Sequence, residues 1–503
     1  MKEELVQCIF DLVLFNRKRD LMAYLGRKCR DETCEMKVSP IGLDHVNEIK
    51  GLVDRGVLHK NVYFQACDLY IREQVEPIQQ VLNKWMSGAK AQVNGVDIEF
   101  SNIISWCQGQ GKKALRNILE RETRSLCRFL SPFSQATWNK TFETVEKDLG
   151  YQGYIDFLRE KKGREVLERL ISICQNFLTE TSSTYVKLVD DWFSILPEPV
   201  GPGDRSRFDA IYLLGLRYLD HLYPDAWKGE EGVERVMEFL APFLSGARGL
   251  RVHIGKGTRG QSCCLPLKIP GEIHVITGGL SGWIDLEAIF HEMGHAFFFL
   301  NNNPKMDVAI KDFYQDFALG ETFAFIFQLI SMDMDFLLRI MGIDQEHAGL
   351  ISTLQALKFL TLARRYGTKS IIEYENFLHL ENPSASQQRY ARLMKKHTGF
   401  RYHAETYYFD LMPDLYSLDY FQAFLGAWIL RDFLRNEYGE QWFLGHEAIG
   451  HLKRWSFQGN KLHLYSFLKT HAGLDLGHEG FGSVLSQISF PSSLSVKKMA
   501  QRV

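Results

Sequence analysis

From the start of the chain to about Trp192, apolar residues recur every three or four positions between charges, as at Leu115, Ile118, Leu119 and again at Leu126, Phe129, Leu130. That period predicts helices burying one stripe each, and so a helical first lobe. The pattern breaks at Leu196-Pro-Glu-Pro-Val-Gly-Pro-Gly-Asp204, whose three prolines and two glycines no helix can absorb, and a lobe boundary is expected there. Helical spacing resumes over Arg207–Tyr223 and Val233–Leu244. Between Leu250 and Thr277 it changes character: Arg251–Ile254 and Glu272–Thr277 cluster β-branched residues between Gly and Pro punctuation, which predicts a small sheet. After Gly278, Gly279 and Gly282 the helical period returns with Trp283, Ile284, Leu286, Ile289 and Phe290, and Asn301-Asn-Asn-Pro304 ends that helix. Helix-like spacing then runs to about Leu474. The expected organisation is mainly α: a helical lobe over 1–200, a second region over 201–490 holding the small sheet, and a loose tail over 491–503. There is no internal repeat.

Composition narrows the picture. The 503 residues are 45% hydrophobic, enough for a substantial core, and 59 Lys+Arg against 61 Asp+Glu leave a net charge of −2. A balanced charge gives no support to nucleic-acid or anionic-membrane binding. The longest uncharged apolar runs, such as Tyr420 to Leu430, fall short of the roughly 20 residues a membrane helix needs. Glu3 and Glu4 stand where a secretory signal wants positive charge, and the nine cysteines show no disulfide or CxxC spacing. Reduced thiols, read as small buried hydrophobes, and a cytoplasmic location are expected.

The chemistry concentrates in His291-Glu292-Met293-Gly294-His295. On a helix, four residues turn about 400°, so the two imidazoles project from one face one turn apart and can bind a single zinc ion. Glu292 flanks that face, where a carboxylate can deprotonate water for metal-assisted hydrolysis. Asp285 and Glu287 fall in the first turn, favourably placed against the helix dipole. A third protein ligand is required. Glu321, a single acid at the head of the apolar segment Ala318–Phe327, is the best candidate, since such a charge is costly unless paired or bound to metal. The plainer alternative for Glu321 is a helix-terminal carboxylate satisfying the dipole.

These residues resemble the gluzincin metallopeptidases of the oligoendopeptidase F and thimet-oligopeptidase type. The resemblance is carried by Gly260-Gln-Ser-Cys-Cys-Leu-Pro266, Ile273-His-Val-Ile-Thr-Gly-Gly279, Asp285, His291-Glu-Met-Gly-His-Ala296 and the Glu321 helix. Pro413-Asp-Leu-Tyr416-Ser-Leu-Asp-Tyr420 and Phe467-Leu-Lys-Thr-His-Ala-Gly-Leu-Asp475 extend it, so that it covers approximately residues 250 to 480. It implies a two-lobed helical body with a deep channel, one zinc ion per chain held by His291, His295 and Glu321, Glu292 as general base, and short unstructured peptides as substrates. It also implies that the strand before the zinc helix, with His274, Val275, Ile276, Gly278 and Gly279, pairs with the substrate backbone; an edge strand offers the unpaired N–H and C=O groups this needs. An ordinary hairpin is the alternative for that strand.

The same resemblance places the oxyanion donors on the tyrosine segment, at Tyr416 and Tyr420, each with a hydroxyl able to donate. The family carries a histidine a few residues before the proline of that segment, whereas here the neighbourhood reads Glu405-Thr-Tyr-Tyr408-Phe-Asp410 and the nearest histidine, His403, lies ten residues before Pro413. Either His403 reaches the site or Tyr407 or Tyr408 stands in. A core-packing role is the plainer alternative for any of these tyrosines. His446 and His451 lack ligand spacing, and Gly255-Lys-Gly257 lacks the ending of a phosphate loop. The competing function is a weakly active or inactive relative that binds peptides or a protein partner in the same channel; an intact Glu292 argues against it.

Overall fold

The structure, a computed structural model, describes residues 2–26, 40–196, 198–246, 248–255, 262–378 and 383–477. Cys29, Cys34, Pro197, Gly260, Gln261 and the tail 491–503 lie outside them. The protein is mainly α. Lys113–Glu143 turns Leu119, Cys127 and Leu130 inward, as its period demands, and buries Arg116 and Glu120 with them, while Arg121, Arg124 and Arg128 face solvent. Ala318–Ile330 is buried at every position, so it is apolar all round and runs through the centre of the molecule. It packs between the Trp283–Leu300 and Tyr416–Tyr438 helices, and the 34-residue Gln345–Leu378 helix packs on the latter. The largest apolar cluster draws on residues from Ile9 to Leu476, including Phe193 before the Pro/Gly segment and Leu213 after it. Arg207–Tyr223 is not one helix: Arg207–Gly215 ends at Leu216 in a left-handed conformation (φ 52°), and a 3-10 turn covers Arg217–Leu222.

Among the described residues there are five strands. β1 (Lys90–Val93) and β2 (Val96–Glu99) form a hairpin. β3 (Leu250–Ile254), β4 (Cys263–Lys268) and β5 (Glu272–Thr277) form a sheet of order β3-β5-β4. β3 runs parallel to β5, Leu250 opposite Ile273, and β4 runs antiparallel to it, Cys263 opposite Ile276, with an irregularity between Pro266 and Lys268.

This order corrects one expectation. Ile273–Thr277 is the central strand, so the backbone groups of His274, Val275 and Ile276 are engaged on both sides and cannot take a further strand. The free edges belong to β3 and β4. The Trp283–Leu300 helix packs against β4 and β5. The Lys2–Tyr24 helix packs against β4 as well, where Leu21, Leu267 and Ile276 form a small cluster. Of the seven cysteines among the described residues, Cys67, Cys107, Cys127 and Cys174 are buried as expected, Cys8 is exposed, and Cys263 and Cys264 are half-buried. No helix among the described residues is long and apolar enough to cross a membrane.

Candidate metal centre

The Trp283–Leu300 helix starts where the Asp220 carboxylate accepts the Trp283 N–H at 3.1 Å, and it buries most of its aliphatic and aromatic side chains. His291 and His295 occupy its one polar flank, their ring centroids 4.9 Å apart. Gly294 decides what can face them. A Cβ there would stand 2.6 Å from Ala324 Cα and from the Phe323 carbonyl oxygen, so only glycine lets the Ala318–Ile330 helix come this close. That approach delivers Glu321, whose Oε2 lies 3.4 Å from His291 Nε2 and 3.5 Å from His295 Nε2.

These three side chains form a group that can hold a metal ion, with ligand atoms within 4.8 Å of one another. Two atoms bound to one tetrahedral ion at ~2.0–2.1 Å are about 3.3 Å apart, close to both observed distances. Glu321 Oε2 is also buried with no hydrogen-bond partner, a costly arrangement for a carboxylate oxygen that a shared ion would relieve. Burial pushes the Glu321 carboxyl up, but the imidazoles of His295 and His291 outweigh it and hold the group well below the usual range. The residues therefore fit a divalent ion with one position left open. Glu292 is pushed up to about 7 by burial, against the opposing charge of His291 and a backbone N–H from Cys264 on β4.

A buried polar chain sets the orientation of His291. Gln328 Oε1 lies 3.2 Å from His291 Nδ1, and Gln328 Nε2 donates to Glu287 Oε2 at 3.0 Å. Because the amide nitrogen faces the carboxylate, the carbonyl faces the ring, so Nδ1 carries a proton and Nε2 is the nitrogen turned toward Glu321. Lys358 donates to the same Glu287 oxygen at 2.5 Å and Gln355 to the other. Sequence reasoning took Glu287 for a dipole-satisfying acid and missed Gln328, Gln355 and Lys358. Gln328 had a signal: it is the polar residue seven positions after Glu321, two turns on and on the same face of an otherwise apolar helix.

Tyr416 donates its hydroxyl to Glu321 Oε1, which leaves Oε2 for the histidines. The turn before it is firmly held. Asp414 (φ 57°) and Leu415 (φ 52°) are consecutive left-handed residues, an arrangement that persists only where its surroundings impose it. Lys161 bonds Asp68 at 2.7 Å and Asp414 at 3.0 Å, Tyr154 accepts the Asp414 N–H at 3.1 Å, and Glu373 accepts from Met412 N–H at 3.1 Å and Ser417 Oγ at 2.9 Å. Tyr420, one turn after Tyr416, has its ring 5.0 Å from that of Tyr416 and stacks on Tyr366.

The remaining sequence candidates stand apart from this group. His403 bonds Glu120 at 2.7 Å and lines a cleft of about 540 Å³ with Lys113, Arg124 and Arg401, a cleft that none of His291, His295 and Glu321 lines. Tyr407 is buried and accepts from Asn376 at 2.7 Å. Ser134 donates to the Tyr408 carbonyl at 3.3 Å. His274 is buried between His253, 2.8 Å from its Nδ1, and Glu272, 3.1 Å from its Nε2. Val275 and Ile276 are buried, while Gly278 and Gly279 are exposed beyond the end of β5.

No protein-family model matches the chain, and no curated protein matches it. Solved structures do. A protein of Bacillus anthracis described as an oligoendopeptidase F superposes with a TM-score of 0.59 at 13% identity, over 92% of this chain and 84% of its own. PZ peptidase A, solved with an inhibitor, gives 0.58 at 12% identity over 94% and 88%. A second structure described as an oligoendopeptidase F gives 0.60 at 12% identity over 92% and 85%. Across nearly its whole length, the chain has the mainly α fold of the oligoendopeptidase F structures.

Proposed function

We propose that this chain is a zinc-dependent oligopeptidase that hydrolyses internal bonds of short unstructured peptides. The observation that carries the reading is the buried, unpartnered Glu321 Oε2 facing the Nε2 atoms of His291 and His295, with a carboxylate of raised pKa, Glu292, on the same helix. Two imidazoles and a carboxylate suit zinc at a catalytic site, where an open position is kept. When bound, zinc supplies Lewis acidity, polarising a peptide carbonyl and acidifying water.

The chain's own groups do the rest. Glu292 takes a proton from the attacking water and returns it to the leaving amine, a task suited to a carboxyl poised near neutral pH. Tyr416 fixes Glu321 through Oε1, and Tyr420 is the phenol left to donate to the oxyanion. β4 supports extended binding: it is a sheet edge, and its Cys264 N–H approaches Glu292, so a peptide added to that edge would run beside the base.

The test is mass spectrometry of a mixed peptide library incubated with zinc-loaded protein and with Glu292→Gln. Internal cleavage by the wild type, abolished in the variant at equal zinc content, is the expected result. Cleavage by both would remove Glu292 from its role. No cleavage at one zinc per chain would favour a peptide-binding protein.

A further inference from the structure

The Tyr366 ring that stacks on Tyr420, 4.9 Å between centroids, lies under the guanidinium of Arg365, 5.1 Å away. Next to it, charges from three segments converge on one carboxylate. Arg365 donates to Asp410 Oδ1, and Lys369 and Arg207 come within 3.5 Å and 3.9 Å of the same oxygen. The Tyr390 hydroxyl takes Oδ2 at 2.8 Å. The second acid facing the group is Glu373, 3.9 Å from Lys369, and its Oε1 is already used by Met412 and Ser417. Among the described residues, three cations thus face two carboxylates. Moving a proton between Lys369 and Glu373 leaves the count unchanged, so one positive charge stays in excess in either state.

An excess charge withdrawn from water is costly unless an anion answers it. Arg207 is where the answer is missing. Its guanidinium makes no hydrogen bond among the described residues; it meets Asp410 only at 3.9 Å and lies over the Tyr402 ring at 5.6 Å. Its side chain is 21% exposed and that of Arg365 16%, so each side chain keeps part of its surface at solvent. A planar fork of N–H donors matches a carboxylate. Contacts run from this pair to the metal centre through Arg365, Tyr366, Tyr420, Tyr416 and Glu321.

We propose that Arg207 and Arg365 form a recognition site for a carboxylate of the peptide substrate, occupied while the scissile bond lies at the His291–His295–Glu321 group. The inference rests on the oligopeptidase reading and deepens it by naming the substrate class: peptides whose C-terminal carboxylate, or an Asp or Glu side chain, lies at a fixed distance from the cleaved bond.

The test uses short synthetic peptides in matched forms, free acid against C-terminal amide and Glu against Gln at each position in turn, with kcat/KM measured by mass spectrometry on the zinc-loaded full chain. One acid form should be preferred by roughly tenfold or more, the worth of a charge-assisted hydrogen bond, and the series in which the preference appears tells terminal from side-chain carboxylate. The preference should fall toward one in Arg207→Gln and shrink in Arg365→Lys, which keeps the charge against Asp410 but loses the fork. Equal rates for all matched pairs, or an undiminished preference in Arg207→Gln, would overturn the proposal. If no peptide is cleaved, calorimetry of the same pairs on Glu292→Gln decides: tighter binding of the acid form upholds the carboxylate site while hydrolysis falls, and equal binding sinks it.

Discussion

Glu321 is a carboxylate whose two oxygens have different duties. Oε1 receives the Tyr416 hydroxyl and Oε2 faces the imidazoles. Tyr416→Phe should therefore weaken zinc binding as well as turnover, whereas Tyr420→Phe should lower kcat with zinc affinity unchanged; competition with a chromophoric chelator separates the two. Gln328→Ala removes the acceptor that fixes the His291 tautomer and should cost roughly 10- to 100-fold in zinc affinity. Elsewhere a buried carboxyl contributes to acid stability. Burial alone would raise Asp410, but Arg365, Lys369 and Arg207 outweigh it and hold it far below its usual range. A depressed folded-state pKa stabilises the fold above the unfolded value, about 4, and that contribution is lost as pH falls further. Asp410→Asn should lower the melting temperature at neutral pH and flatten its decline below about pH 4 in a calorimetric titration. At this scale the candidate metal group is legible because helix spacing brings His291 and His295 to one face and because Glu321 stands alone on an apolar segment. The partners of Glu287 and Tyr416 were not, since 41 residues separate Glu287 from Gln328 and 95 separate Tyr416 from Glu321.

Between elements, the decisive distance is the approach of the two central helices at Gly294. Gly294→Ala places a methyl group against the backbone of Ala324 and Phe323, so it should destabilise by about 1–3 kcal/mol in urea unfolding and weaken metal binding by moving Glu321 away. The sheet depends on the Lys2–Tyr24 helix. Leu21 is buried against Leu267 and Ile276, and Leu21→Ala should cost about 2–5 kcal/mol, read as a lowered unfolding midpoint. Of the five strands among the described residues, β3 and β5 were legible from β-branched residues between Gly and Pro; β1, β2 and β4 were not, nor was the central position of β5. Yet Ile273–Thr277 is buried at five successive residues, the mark of a strand covered on both faces, and that continuous run held information that the edge role implied by the resemblance did not use.

For the whole molecule, helical period predicted the mainly α class correctly, because it needs only local spacing. Long-range pairing is harder to read: the apolar cluster joins Phe193 to Leu213 and reaches from Ile9 to Leu476 across the Pro/Gly segment. Limited proteolysis at the exposed stretch Gly201–Asp204 should accordingly give a nicked protein that still elutes as one particle in gel filtration and separates only in denaturant. The pinned turn before Tyr416 bears on how the protein is made. Lys161 emerges from the ribosome some 250 residues before Asp414, the residue it must hold, while His291, His295 and Glu321 are synthesised close together. A growing chain thus carries the three candidate ligands well before Tyr416 and Tyr420 are made. On the proposed reading, an unfinished chain would carry the candidate ligands without the tyrosines assigned to the carboxylate and the oxyanion.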